Sequence, residues 1–243
     1  MATDIIIPLG NGSKCGNDEL RILLRSIERN AQGTGTVCIV SDCAPDWLAN
    51  CRVVECGDAW PHNKDANMTD KMLAAIAEIQ CREFILTCDD TVFNKPCDLE
   101  RLPVIYNNRS QKDFGPDFAR GEWRRWHQRM YHTFWLAEQM GVTLCHNYEC
   151  HAPQRFDARR FADNLRQIDY YAGTGFGIFT LLRLCEGITG GEDQNAYKTT
   201  HERREDADRP MDRLFVGYND EAFCNGLRER LYKAFPDKSK YER

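Results

Sequence analysis

Asp89 and Asp90 are adjacent carboxylates that follow the apolar run Phe84-Ile85-Leu86. At the end of a buried strand they repel each other and lie outside the dry core. A hard divalent cation is the usual reason to keep such a pair together. The competing account is a pair of turn-forming aspartates that accept hydrogen bonds from nearby backbone. Lys64, Asn67 and Lys71 are spaced by three and four, which puts them on one face if the helix that carries them starts early. Two cations and an amide on one face suit a diphosphate and a nucleobase or ribose, whereas a solvated helix face is the ordinary fate of lysine. His151, just before Ala152-Pro153, offers a third metal ligand or a base. Its plainer role is a loop imidazole bonded to backbone.

Two further groupings are weaker. Cys145, His146, Cys150 and His151 invite a zinc reading, but in a strand neighbouring residues face opposite ways, so only one cysteine and one histidine share a face and the four-ligand requirement fails. Arg120, Trp123, Arg124, Arg125, Trp126, His127 and Arg129 make a basic, aromatic segment. It fits an acceptor surface, even nucleic acid held by phosphate contacts and stacking, or an amphipathic helix with its aromatics inward.

The elements that must hold these groups alternate. Asp4–Ile7 reads as a buried strand stopped by Pro8. A helix capped by Asn17 or Asp18 follows over 19–30, with Leu20, Leu23, Leu24 and Ile27 inward. Strands at 36–40 and 52–56, a helix at 69–80 and a strand at 83–87 complete the first ninety residues. Such alternation predicts an α/β fold, a mainly parallel sheet with helices on both faces, and ligands bind beyond the carboxyl ends of its strands. Pro8-Leu9-Gly10, Ser41-Asp42 and Asp89-Asp90 converge on that edge. Beyond Lys95 come a long loop with a short strand at 102–106, a helix at 123–140, a strand at 142–150, helices near 156–165 and in the stretch ending at Cys185, a polar loop at 187–209, a strand at 214–217 and a final helix at 221–235 capped by Asn219 or Asp220. No internal repeat and no low-complexity stretch is present.

Composition sets the class. The 243 residues suit one domain. No stretch approaches the roughly 20 apolar residues of a membrane helix, and the start lacks a signal-peptide pattern, so a cytoplasmic location is expected. The net charge of −5 disfavours whole-surface attraction to nucleic acid. The twelve cysteines are scattered without a CxxC pair and read as reduced, mostly buried thiols.

The chain resembles GT-A-type glycosyltransferases of bacteria and phages, akin to capsular-polysaccharide biosynthesis proteins. The resemblance is carried, in order, by DIIIPLG with NDELRILLRSIERN, by VCIVSDCAPDWL, by HNKDANMTDKMLAAI, by FILTCDDTVF as counterpart of the DxD motif, by YECHAP and by the tail AFPDKSKYE. It implies a single GT-A Rossmann-like domain, with 1–94 as the nucleotide-sugar half and 95–243 as the acceptor half. It implies that Pro8, Leu9, Gly10, Asp42, Lys64, Asn67, Lys71 and Asp89 line the donor pocket, that Asp89, Asp90 and His151 stand near Mn²⁺ or Mg²⁺, and that a UDP- or GDP-sugar is the donor. Cys88 departs from the pattern, where many relatives carry a polar residue or another acid, and 187–209 matches nothing in it. A catalytic base is not supplied by the resemblance; Asp220 and Glu149 are candidates by type. A glycan is the favoured acceptor, a hydroxylated base in phage DNA the second, and a non-catalytic sugar-nucleotide binder the third reading. Sugar-nucleotide synthesis fits poorly, because Leu9–Lys14 lacks the arginine-containing glycine-rich loop that holds a triphosphate.

Overall fold

Ile5, Ile6 and Ile7 are fully buried, and consecutive β-branched residues that all leave water belong inside a sheet covered on both faces. In the computed structural model, which describes residues 2–107, 125–142, 146–171, 173 and 175–243, that run is the central strand. In chain order the strands are β1 (Thr3–Pro8), β2 (Thr34–Val40), β3 (Arg52–Val54), β4 (Glu83–Leu86), β5 (Thr91–Phe93), β6 (Gln154–Asp157), β7 (Lys198–His201) and β8 (Phe215–Tyr218). The main helices are α1 (Asp18–Asn30), α2 (Lys64–Ile79), α3 (Arg125–Gln139), α4 (Ala158–Leu165), α5 (Ile178–Cys185) and α6 (Arg228–Ala234).

A five-stranded sheet runs in the order β3-β2-β1-β4-β6. Its first four members are parallel and β6 closes the edge antiparallel to β4. A second, three-stranded sheet is ordered β7-β8-β5, with β7 parallel and β5 antiparallel to β8. The alternation of β1 divides the core. Ile5 and Ile7 pack with Leu20, Leu23, Leu24 and Ile27 of α1, while Ile6 packs with Met72 and Ala75 of α2 and with Phe84, Phe156 and Phe161. Each such side chain, fully buried, stabilises by roughly 1.5–3 kcal/mol. The α/β class and mainly parallel sheet match expectation. The sheet also draws β6 from the second half of the chain, and β8 pairs with β5 from the first, so the halves 1–94 and 95–243 are interleaved.

Several expectations change. Asn17 does not cap α1 with its side chain; it sits at φ 61°, and its amide donates to Ser13 Oγ at 2.9 Å. α2 begins at Lys64, five residues before the predicted start, because Asn63 Oδ1 accepts from Ala66 N at 3.0 Å and caps it. No strand forms in the described part of 142–150. There Tyr148 N donates to Thr180 Oγ1 and Glu149 N to Asn147 Oδ1, so side chains take the donors that a neighbouring strand would need. Gln154–Asp157 takes the sheet edge instead. Residues 187–209, expected as a loop, carry β7 and a short 3₁₀ turn at Arg204–Asp208. The last helix is capped by Asn219, whose Oδ1 accepts from Ala222 N at 3.1 Å. It breaks at Asn225-Gly226 before α6. Among the described residues no helix is long and apolar enough to cross a membrane.

The C-terminal tail is locked to α1. Glu242 carries no exposed side-chain surface and accepts from Arg25 at 2.8 and 2.9 Å, from Arg21 at 3.1 Å and from Ser239 N at 2.9 Å. Burial raises its pKa, but those donors outweigh it and hold the carboxyl at about 2. A depressed carboxylate stabilises the fold above its unfolded pKa and loses that contribution as pH falls through the folded one. Glu242→Gln is therefore expected to cost roughly 1–2 kcal/mol at neutral pH after screening near the surface. In urea melts the gap from wild type should close as pH drops from about 5 toward 2.

Candidate functional site

The chain crosses from the first sheet to the second through Thr87–Asp90, and this crossing sets the site. Tyr218 N donates to Asp90 O at 3.1 Å and Tyr218 Oη to Asp89 O at 3.3 Å, so β8 pins the backbone beneath both carboxylates. The loop after β1 is organised by Ser13, whose Oγ accepts from Cys15 N and Asn17 N and donates to Glu19. Lys71, buried on α2, donates to Leu9 O at 2.8 Å and pairs with Asp58 at 2.7 Å, tying helix, loop and strand end together.

Two cavities open here. The first, about 850 Å³, is lined by Pro8, Leu9, Gly10, Lys64, Asn67, Lys71, Asp89 and Asp90 on one side and by Tyr218, Asn219, Asp220 and Glu221 on the other. Its size falls in the range of small-molecule sites. The second, about 590 Å³, is lined by Asp90, Glu149, His151, Lys198, Thr200, Arg203 and Arg209, with Tyr218 and Asn219 again. Asp90 therefore stands where the two meet.

Of the residues singled out for the donor pocket, Asp42 alone lies elsewhere: it is exposed beside Gly57 and does not line the first cavity. Strand β2 ends at Val40, so Asp42 is already in the following loop. Asn67 spends its side chain on the backbone of Trp60, accepting from N at 2.8 Å and donating to O at 2.9 Å. It shapes the wall rather than offering a free amide. Lys64 is exposed and has no ion-pair partner among the described residues. Asp220 lines the first cavity and pairs with Lys14 at 3.0 Å, both exposed.

Of the three residues expected near a metal, Asp90 and His151 come together, and Cys88 joins them. The donor atoms of Cys88, Asp90 and His151 lie within 4.8 Å of one another. Asp89 is outside that cluster and faces the first cavity. His151 adopts φ 48°, a left-handed conformation that non-glycine residues seldom hold, and its carbonyl accepts from Thr91 Oγ1 at 3.1 Å. Burial and the neighbouring Asp90 and Glu19 push the Asp89 carboxyl up to about 7. His151 keeps an exposed face, yet the protein crowded around its imidazole lowers its pKa; Asp90 opposes this, while Lys198 and Arg129 reinforce it. Among the described residues no basic side chain pairs with Asp89 or Asp90. The nearby Lys198 Nζ donates instead to Cys150 O at 2.6 Å.

Sequence reasoning gave no site role to Cys88, named only as a departure from the pattern, or to Asn219, named only as a cap, and did not name Lys198 or Tyr218. The spacing of Cys88 and Asp90, two apart around an aspartate, was the available signal for the first. For Lys198 the signal was Gly217: a β-carbon there would collide with the Lys198 stem, so the glycine leaves the space through which the lysine crosses β8. The basic segment loses much of its force. Arg120, Trp123 and Arg124 lie outside the described residues; Arg129 pairs with Asp65 and lies over the Trp126 ring, and His127 is buried. The zinc grouping disperses: His146 stacks on Tyr106 at 4.0 Å, Cys150 Sγ lies 3.3 Å from Gln154 Nε2, and Cys145 is outside the described residues. No protein-family model and no curated protein matches the chain.

Asp89 should weaken the metal-free fold. Its folded pKa lies above the unfolded value, so its contribution to stability is greatest below about 4 and is lost as pH rises toward 7. With chelator present, Asp89→Asn is expected to raise stability at pH 8 by roughly 1–3 kcal/mol, shrinking toward pH 4. Equal denaturation midpoints at pH 8 would contradict this.

Proposed function

We propose that this chain is a glycosyltransferase that moves a sugar from a nucleoside-diphosphate donor to a hydroxyl acceptor, with a GT-A-like arrangement and a divalent cation. The observation that carries the reading is the meeting of two cavities at Asp90, beside a second carboxylate, with no basic partner for either among the described residues. A half-buried carboxylate pair with no basic partner among the described residues is a natural place for a cation from outside, and Asp90 with His151 supplies oxygen and nitrogen donors for one. A divalent cation there supplies charge stabilisation to a departing diphosphate. Donors carrying uridine or guanosine fit the first cavity equally by chemistry.

In this reading the donor occupies the first cavity, with its phosphates toward Lys64 and Asp90. Lys71 holds the Leu9 carbonyl and keeps the cavity wall in place. The acceptor, by preference a glycan hydroxyl, enters the second cavity. Glu149 is the better base of the two candidates, because it faces that cavity while Asp220 stands on the donor side with Lys14. The Glu149 carboxyl is anchored by Thr180, whose N and Oγ1 donate to Oε1 at 2.8 and 3.1 Å. Burial lifts its pKa to about 7, against the lowering influence of Arg129 and Thr180. A carboxyl poised near the working pH is effective in taking a hydroxyl proton. The DNA-acceptor reading is not favoured, since Arg129 of its basic helix is committed to Asp65.

A screen of UDP- and GDP-sugars for donor hydrolysis and for transfer to simple glycans tests the proposal. Metal-dependent hydrolysis is expected; tight binding without hydrolysis or transfer to any acceptor would make the chain a nucleotide-sugar binder. With the right donor, transfer should rise with pH through about 7 as Glu149 ionises. Glu149→Gln should lower the rate by roughly 10²–10⁴ and flatten that profile.

A further inference from the structure

The donor set around Asp90 is not the all-oxygen set that magnesium demands. We propose that Cys88, Asp90 and His151 form a metal site with a thiolate ligand, which takes a borderline transition metal of the zinc and cobalt type in preference to magnesium. This deepens the metal-dependent reading of the same site and rests on it only for what the metal is used for.

Three observations support it. The sulfur, carboxylate and imidazole donors converge within 4.8 Å. Ligands at roughly 2.0–2.3 Å from one metal stand closer together than that limit, so small side-chain adjustments close the set. Cys88 and Asp90 are two residues apart around Asp89 and reach the cluster together, while Asp89 lines the first cavity without joining them. His151 comes from a separate segment and is held in place through its own carbonyl by Thr91. Second, among the described residues the carboxylate of Asp90 accepts only a long hydrogen bond, from Thr91 Oγ1 at 3.5 Å, and has no cationic partner. Third, Asp90 lines both cavities and His151 the second, so three protein donors leave a position open to an outside oxygen, the pattern of a catalytic rather than a closed structural zinc site.

The plain alternative is that Cys88 is a small buried apolar filler. Its neighbours argue against that, because it sits beside two carboxylates and an imidazole instead of among aliphatic side chains. Soft sulfur and borderline nitrogen favour later first-row metals, whereas magnesium keeps to oxygen ligands in near-octahedral geometry. Binding converts the Cys88 S–H to a metal–sulfur bond and releases its proton to solvent.

The test uses the full chain, stripped of metal with chelator and titrated with Co²⁺ while absorption is recorded. Wild type is expected to show a near-ultraviolet sulfur-to-cobalt charge-transfer band. One equivalent of Zn²⁺ should abolish it, and a large excess of Mg²⁺ should not. Cys88→Ser should lose the band. Cys88→Asp, which keeps the volume and restores an oxygen donor, should lose the band and weaken Zn²⁺ relative to Mg²⁺ by on the order of tenfold or more. His151→Ala should weaken Co²⁺ binding by on the order of tenfold or more, and circular dichroism verifies the fold of each variant. Absence of the band in wild type, its survival in Cys88→Ser or Cys88→Asp, or displacement of Co²⁺ by Mg²⁺ as readily as by Zn²⁺ would each overturn the proposal. The transferase reading fails separately: a cobalt–thiolate band without sugar transfer leaves the metal site standing, and transfer supported by Mg²⁺ with no band leaves the transferase standing without it.

Discussion

Negative charge concentrated where the chain leaves one sheet for another is the constraint around which the rest of the structure is arranged. Asp89 and Asp90 follow β4, whose Phe84, Ile85 and Leu86 are fully buried, after Thr87 and Cys88, and precede β5, which pairs in the second sheet. Two carboxylates at such a place are unfavourable for folding unless water, a ligand or a cation compensates them. The fold keeps them open to two cavities instead of burying them against arginine, which is how the same chain treats Glu242. The contrast is informative: the tail carboxylate is paired and serves stability, while the carboxylates at the crossing are left unpaired.

The surroundings hold this arrangement without neutralising it. Lys71, buried, and Lys198, half-buried, stand close by; Lys71 donates to Leu9 O and pairs with Asp58, and Lys198 donates to Cys150 O. Their positive charge fixes loops at the rim, and neither forms an ion pair with Asp89 or Asp90. Tyr218 reads the backbone of both aspartates from β8, so a strand from the late part of the chain fixes residues of the early part. Asp65 plays a similar part behind the second cavity, pairing with Arg129 and accepting from Phe176 N at 3.0 Å. These contacts bring α3, the segment before α5 and α2 together behind Glu149.

Local signals in the sequence carried most of the first ninety residues. The isoleucine run, the leucine spacing of α1 and the apolar strand before Asp89 are period-two and period-3.6 patterns that need no long-range knowledge. Of the residues that the resemblance groups in one pocket, Pro8, Leu9, Gly10, Lys64, Asn67, Lys71 and Asp89 line one cavity, while Asp42 does not, because its strand ends two residues before it. The later half was less legible because its backbone is satisfied by side chains. Thr180 and Asn147 take donors that the pattern assigned to a strand. The contribution of Lys198 depends on a glycine nineteen residues away on a neighbouring strand. The exchange of Asp89 for Cys88 in the donor cluster was equally hidden, since it follows from which way each side chain turns after the strand has ended.

The central claim is that the unpaired carboxylates and the cation wall of the first cavity bind a diphosphate through a divalent metal. Calorimetric titration of UDP and of GDP into wild type and Asp90→Asn, each with and without Zn²⁺ or Mn²⁺, measures this directly. The account predicts that one nucleotide binds wild type tightly only when metal is present, and that Asp90→Asn removes the metal dependence together with most of the affinity. Nucleotide affinity that is the same with and without metal in wild type, or unchanged in Asp90→Asn, would contradict it.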